Sequence, residues 1–309
     1  MDELVDRIRR VTLPLPTRPG HVHAYLLPGD DGWTLVDTGL GLPDARERWA
    51  EELRGLDVKR VVITHFHPDH VGAAADVAEL TGAEVRQGEL DFAQCELVWG
   101  NPEWPERIAA WFRENGVPGP VADELLGTGR AYAEFIRYVP DPTPLAPGER
   151  VDGWEAMAFP GHADGQLGLF RDGVLVAADH ILDPISPAVG LYPESRPDPL
   201  GDYIASLERV VELAPRIALP GHGEPIDRPA ERAQELIRHH RERMRRTAAA
   251  LGPEPRTGYE VSLSLFGLEL KPSARRFAVA ESLSHLERLV AEGGAVKNGA
   301  DGPISYTPA

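Results

Sequence analysis

Cysteine is nearly absent: Cys95 is the only one in 309 residues. One thiol cannot form an intramolecular disulfide, which favours a reducing compartment. Cys95 lies among Phe92, Leu97 and Val98, a setting that points to a buried structural thiol rather than a nucleophile. Long apolar runs are missing too. Nothing is long enough to span a bilayer, so no membrane partner is expected. The stretch from Met1 to Pro16 is charged and lacks the apolar core of an export signal, so the expected location is the cytoplasm. Positive charge is in short supply: 32 Lys and Arg against 49 Asp and Glu give a formal net charge of −17. Such a molecule repels phosphate backbones at long range, which argues against a nucleic-acid partner while leaving room for a local basic patch. No internal repeat is found.

What is present suits one large domain followed by a small one, with a hydrophobic share of 42%, ordinary for a soluble globular chain. Residues 21–38 read as a hairpin turning at Pro28-Gly29-Asp30-Asp31-Gly32. Pro43 sits at a helix start, with Ala45, Trp49 and Leu53 on one face. Val61-Val62-Ile63 reads as a short β-branched strand, and Asp69 to Leu80 as a helix. Short strands recur at 154–159, 174–178 and 217–219, alternating with helical stretches as in an α/β domain. Residues 99–147 break the rhythm. They are rich in Pro and Gly, carry two helical patterns around Ile108-Trp111-Phe112 and from Leu125 to Ile136, and hold Trp99, Trp104, Tyr132 and Tyr138. We read them as a helical insertion whose aromatics either line an apolar lid or pack a core of their own.

The strongest signal is Thr64-His65-Phe66-His67-Pro68-Asp69-His70, directly after the Val61–Ile63 strand. Side chains two apart in an extended segment share a face, so His65 and His67 can grip one metal. Asp69 and His70, at the start of the next helix, can face a second. Zinc accepts imidazole nitrogen and carboxylate oxygen, so this density of donors makes a ready site. Three further strand ends add donors: Pro160-Gly161-His162, Ala178-Asp179-His180 and Pro220-Gly221-His222-Gly223. The glycines beside His162 and His222 allow tight backbone turns around an ion. His180 is ambiguous. If its strand stays extended its side chain points away from Asp179, which leaves it either as a support behind the ligands or as a plain structural histidine.

Taken in order, Asp37 in Leu-Val-Asp-Thr-Gly, the HxHxDH run at 65–70, His162, Asp179 and His222 resemble the five motifs of the metallo-β-lactamase superfamily, over about residues 20–225. The resemblance implies an αββα sandwich with two metals at one edge. It implies that His65, His67 and His162 hold the first metal, that Asp69, His70 and His222 hold the second, that Asp179 bridges them, and that Asp37 orients the site from behind the ligands. The metals would be two zinc ions, with iron or manganese accepted by the same donors. The true β-lactamases typically lack a histidine in the place of His70, and several use a cysteine at the second metal, so antibiotic hydrolysis is disfavoured.

Residues 229–309 change character. An Arg-rich helix over 229–250 precedes Gly252-Pro253-Glu254-Pro255. An amphipathic helix over 273–292 follows, with Phe277, Leu283, Leu286, Leu289 and Val290 on its apolar side. A hairpin turning near Asn298-Gly299 closes the chain. Together these suggest a small winged-helix domain, and the stretches His239–Arg243 and Ala280–Leu286 resemble the appendage of the β-lactamase-like-protein-2 type. That subgroup includes thioesterase-like enzymes and an RNA-cleaving member.

Two metals about 3.5–4 Å apart can share a hydroxide that serves as nucleophile at neutral pH, with Asp69 and Asp179 steering the water. The favoured substrate is a thioester or ester: an acyl-CoA, acyl-carrier or glutathione thiolester. The aromatic insertion supports this, and a thiolate leaving group needs little protonation. The alternative is a phosphodiesterase or endoribonuclease using Arg238, Arg241, Arg243, Arg245 and Arg246, against which stands a solvated face interleaved with Glu235 and Glu242. A non-catalytic metal-bound regulator is the third reading, opposed by the complete ligand set. The 229–309 region is expected to pack against the catalytic domain or a second copy of the chain, as in a homodimer, and to wall the substrate entrance.

Overall fold

The β-branched runs alternate sides as they enter the interior, and that alternation builds the architecture. The computed structural model describes residues 1–299 and 302–309; the side chains of 126–132 lie outside the described residues, and with them Tyr132 and part of the Leu125–Ile136 pattern. The first sheet holds seven strands in chain order: β1 (Asp2–Glu3), β2 (Arg9–Pro14), β3 (His21–Pro28), β4 (Trp33–Val36), β5 (Val58–Ile63), β6 (Glu84–Gln87) and β7 (Thr143–Pro144). It is antiparallel from β1 to β4 and parallel from β4 to β7. The second sheet holds β8 (Arg150–Val151), β9 (Trp154–Ala158), β10 (Leu167–Arg171), β11 (Val174–Ala178) and β12 (Ile217–Pro220), with β12 parallel to β11 and the rest antiparallel.

In β5, Val62 points between the sheets, where it meets Tyr25, Val36, Trp154, Leu169 and Val176; Val61 and Ile63 point out, towards Trp49 and Val77. In β11 the same alternation sends Val174 and Val176 inward and Leu175 and Ala177 outward. Helices cover both outer faces. On the first sheet lie α1 (Ala45–Glu52), α2 (Pro68–Val71), α3 (Ala74–Thr81) and α4 (Glu89–Cys95), and on the second α7 (Pro199–Leu213), giving an αββα sandwich. Burying a side chain such as Trp49 or Tyr203 in these layers contributes on the order of 2–3 kcal/mol.

The helix expected over 69–80 is two helices. Between α2 and α3, Gly72 O accepts from Arg137 N at 2.7 Å and Ala73 N donates to Gly39 O at 3.0 Å, so tertiary partners take the backbone groups a continuous helix would use. The insertion forms α5 (Trp104–Glu114) and α6 (Gly119–Ala133). Among its described aromatics, Trp104 is buried in the core beneath the first sheet with Trp99 and Tyr138 against it, and Phe112 is buried in the core beneath the second with Trp111 against it.

After the sandwich come α8 (Pro229–Ala250), β13 (Arg256–Thr257), α9 (Gly258–Phe266), α10 (Pro272–Ala291), β14 (Ala295–Asn298) and β15 (Ser305–Pro308). The last three strands form a sheet in the order β13-β15-β14. The turn joining β14 to β15 includes residues 300–301, which lie outside the described residues. This region shares one apolar cluster with the sandwich: Leu236, Met244, Val279, Leu283 and Leu286 pack with Leu200, Leu207 and Leu175. Phe277 does not join them, being 52% exposed. It precedes Leu286 by nine residues, about two and a half helical turns, which places it on the opposite face. Among the described residues no helix is long and apolar enough to cross a membrane.

Candidate metal centre

Four loop segments at the strand ends converge at one edge of the sandwich. The loop after β5 carries His65 and His67, and α2, which follows it, carries Asp69 and His70; the loops after β9, β11 and β12 carry His162, Asp179 and His222. Their donor atoms form three overlapping groups, His65/His67/His162, His65/His70/Asp179 and Asp69/His70/His222, each with its ligand atoms within 4.8 Å of one another. His67 Nδ1 lies 2.8 Å from His162 Nε2. On the other side His222 Nε2 stands 3.3 Å from both Asp69 Oδ2 and Asp179 Oδ2. Asp179 spans the two sides: its Oδ1 is 3.4 Å from His70 Nε2, and its Oδ2 is 3.6 Å from His162 Nε2.

The far nitrogens of these rings are held in turn, which frees the near ones. Thr64 Oγ1 gives its one proton to Asp37 Oδ2 at 2.8 Å, so at 3.0 Å from His65 Nδ1 it accepts the ring proton. His70 Nδ1 donates to Asp37 Oδ2 at 2.8 Å, His162 Nδ1 to Ala188 O at 2.7 Å and His222 Nδ1 to His21 O at 2.7 Å. In His65, His70, His162 and His222 it is therefore Nε2 that faces the centre. Asp37 Oδ1 also accepts from Thr64 N at 2.8 Å, and Asp37 occupies a left-handed backbone position, φ 62°.

The donor set fits a pair of divalent ions. His65 Nε2 is buried with no hydrogen-bond partner, a cost of roughly 1–3 kcal/mol that a cation would remove, and His70 Nε2 and Asp179 Oδ1 have only each other at 3.4 Å. Gly221 leaves the space: a Cβ there would strike Asp179 Oδ1 and come within 2.8 Å of His70 Cε1. The electrostatics agree. Burial and the neighbouring imidazoles push His65 well below the usual histidine range, and burial pushes His67 down to about 3. At His222 burial also disfavours charge, but Asp179 and Asp69 outweigh it and hold the imidazole at about 10. Burial likewise opposes ionisation of Asp179, and His222 and His70 overcome it. The carboxylates thus attract positive charge to the side where His70 and His222 sit.

His180 stands apart. Ala178 has φ 45° and His180 N donates to Ala177 O at 3.0 Å, so the chain turns here instead of staying extended. The ring stacks on Phe159 at 4.6 Å and meets Tyr203 edge-on at 5.4 Å, and burial holds it neutral, down to about 3. Cys95 is buried, and burial pushes its thiol well up.

Several supports had no sequence signal. Asp91, fully buried and pushed up to about 7 by that burial, accepts from Phe66 N at 2.9 Å and so braces the loop between His65 and His67. Trp99 Nε1 donates to Phe66 O at 2.8 Å. His23 N donates to Gly221 O at 2.7 Å, its Nε2 lies 2.9 Å from Gly223 O, and Gly223 N donates to His21 Nε2 at 3.1 Å, so β3 fastens the turn that carries His222. These contacts join residues about 200 positions apart, which no local pattern encodes.

This fold and donor set define a metal-dependent hydrolase class, and the comparisons with known proteins agree. The model of the metallo-beta-lactamase superfamily matches residues 17–222, and that of the metallo-beta-lactamase-like C-terminal domain matches residues 244–309. The chain belongs to the metallo-beta-lactamase superfamily. It is 28% identical over 304 residues to a Bacillus subtilis (strain 168) protein described as a probable metallo-hydrolase, YqjP, covering 91% of this chain and 92% of that one. It resembles the solved metallo-beta-lactamase family protein TTHA1429 from Thermus thermophilus, with a TM-score of 0.86, 36% identity and 98% of each chain covered. A more distant relative is the beta-lactamase-like protein 2 homolog of Caenorhabditis elegans, 24% identical over 311 residues, 96% of this chain and 88% of that one.

Proposed function

We propose that this metallo-hydrolase cleaves a thioester or ester using two divalent ions, zinc first among them, with iron or manganese accepted by the same donors. The observation that carries the two-ion reading is the span of Asp179 between the His162 side and the His70 side. His65, His67 and His162 would hold the first ion, Asp69, His70 and His222 the second, with Asp179 shared. When bound, such a pair supplies an activated water and a Lewis-acid contact for the scissile carbonyl oxygen. Asp69, its side chain 25% exposed against 9% for Asp179, is the carboxylate that solvent reaches, and with Asp179 it would steer the attacking water. Asp37 holds the ring of His70 in one tautomer and one orientation. A thiolate leaves without protonation, which suits this set of residues.

The arginines of α8 favour this reading over cleavage of RNA. Arg243 pairs with Glu281 and lies over Phe266, Arg245 pairs with Glu242, and Arg246 donates to Leu265 O. Arg238 and Arg241 line a groove with Glu208 and Glu212, so the charge there is mixed. A cytoplasmic setting fits the lone buried thiol. We read the 229–309 region, with α8, α9 and α10 and a sheet in the order β13-β15-β14, as a winged-helix appendage that serves packing, in a monomer or a homodimer.

The test is a hydrolysis panel of acyl-CoAs, glutathione thiolesters, lactones and single-stranded RNA on metal-loaded protein, with the metal content of variants measured beside it. Thioester or ester turnover is expected to exceed RNA cleavage. Asp179→Ala should lose both ions and His162→Ala mainly the first. RNA cleavage abolished by His67→Ala, with no ester turned over, would reverse the ranking.

A further inference from the structure

The segment from Asp179 to Ala188 has no helix or strand, and its tip, 183–186, is exposed. Its ends nonetheless belong to the centre. Asp179 begins it, and Ala188 O accepts the Nδ1 proton of His162. Its middle leans on a third ligand's turn: a Cβ on Gly223, next to His222, would come within 2.7 Å of Asp183 O. One segment therefore sets the position of groups on both sides of the site, and it needs something to hold its shape.

That something is one side chain from beyond the sandwich. Arg232, on the first turn of α8, donates from Nε to Leu182 O at 2.8 Å, and from one terminal nitrogen to Pro184 O at 3.1 Å and to Ile185 O at 3.0 Å. Its other terminal nitrogen donates to Glu235 at 3.0 Å, and Asp183 lies 3.7 Å from Nε. The Arg232 side chain is 16% exposed; its bond to Leu182 O is partly buried, and those to Pro184 O and Ile185 O lie at the surface. Three loop carbonyls gathered by one planar cation suit arginine, whose donors are fixed in a fork, better than lysine, whose three donors share one nitrogen on a flexible stem.

We propose that Arg232 is a positioning residue for the metal centre, acting through the 179–188 segment on Asp179, His162 and His222, so that α8 is a working part of the hydrolase. This rests on those three residues being ligands. Supports behind metal ligands typically change metal affinity or activity by about 10- to 100-fold when removed.

The experiment compares Arg232→Met, Arg232→Lys and Glu235→Gln in the full chain. Zinc affinity is read by chelator competition, the electronic spectrum is read on cobalt(II)-substituted protein, and kcat and KM are read on whichever panel substrate is turned over. Arg232→Met should weaken zinc binding by about tenfold or more, shift the cobalt spectrum and lower kcat with KM little changed. Arg232→Lys keeps the charge and the stem, so it folds where the methionine variant does not, and it should show the same changes in smaller measure. Glu235→Gln leaves the three carbonyl bonds intact and should match the parent protein. A lower melting temperature with parental zinc affinity and an unchanged cobalt spectrum would overturn the proposal. Affinity and spectrum need no substrate, so they stand apart from the ester reading. If His162→Ala keeps the full metal complement, the ligand assignment fails and the proposal with it.

Discussion

Asp37→Asn isolates one part of the ring support. The carboxylate accepts three hydrogen bonds at 2.8 Å: Thr64 N on Oδ1, and Thr64 Oγ1 and His70 Nδ1 on Oδ2. Asparagine has nearly the same shape and tolerates the left-handed backbone at φ 62°, so strain contributes little. Its amide, however, has one acceptor oxygen and one donor nitrogen. With the oxygen in the place of Oδ2, the nitrogen faces the Thr64 N–H. Turned over, it faces His70 Nδ1 and drives the ring proton to Nε2, where the lone pair is needed. In the first form a buried donor meets a donor, at a cost of about 1–3 kcal/mol; the second escapes that clash only by the proton shift. The turned-over form also removes a ligand from the second ion. We expect second-site zinc affinity to fall by about 10- to 100-fold, or about 1.4–2.8 kcal/mol, with a smaller effect at the first site. Competition against a chromophoric chelator resolves the two constants, and melting of the metal-free protein reports the stability cost separately. Unchanged constants, or a larger loss at the first site than at the second, would refute the reasoning.

Acid sensitivity is expected from the C-terminal helices. His240 Nδ1 lies 3.3 Å from His285 Nε2, and burial lowers the two imidazoles to about 2 and about 4. Both are depressed below the unfolded value, so the unfolded chain binds more protons; their contribution is full above pH ~6.5 and drains away as pH falls towards 4. Denaturant unfolding between pH 6.5 and 4.5 should show a positive slope with pH that His240→Phe reduces by up to about 1.4 kcal/mol per pH unit; an unaltered slope would remove this pair from the account. Deleting 229–309 should cause aggregation, because Leu236, Met244, Leu283 and Leu286 share a core with α7; a soluble, active truncation seen in light scattering and turnover would contradict it. The full chain should show no sub-micromolar, salt-sensitive binding to duplex DNA in fluorescence anisotropy, since Arg275 is buried against Gly267 O and Arg288 is paired with Asp198 and Glu292.

The donors were legible because they are local. HxHxDH places four of them in six residues, and each remaining one sits just past an apolar strand that can be recognised by itself. The sandwich was legible through the resemblance that the motifs carry, while Val61, Val62 and Ile63 by themselves declared only one short strand. What failed was whatever depends on a partner elsewhere. The break at Gly72 is written in Arg137 and Gly39, not in the helix pattern. Asp91, His21 and Arg232 look like ordinary polar residues until the loops they hold are in place. Phe277 was misplaced by counting it with Leu286 without following the helical angle between them.

The distribution of the donors has a mechanical consequence. His65 to His70 hang from one sheet, and His162, Asp179 and His222 from the other, a long way along the chain. An ion seated among them is a clasp across the rim of the sandwich, added to the hydrogen bonds by which β3 already fastens the turn that carries His222. At an ion concentration about a thousand times the dissociation constant, the clasp is worth about 4 kcal/mol to the folded state. Stripped of metal, the rim is where the two sheets would part first, so hydrogen exchange in a chelated sample should quicken at the ends of β5, β9, β11 and β12 before it does in the strands themselves.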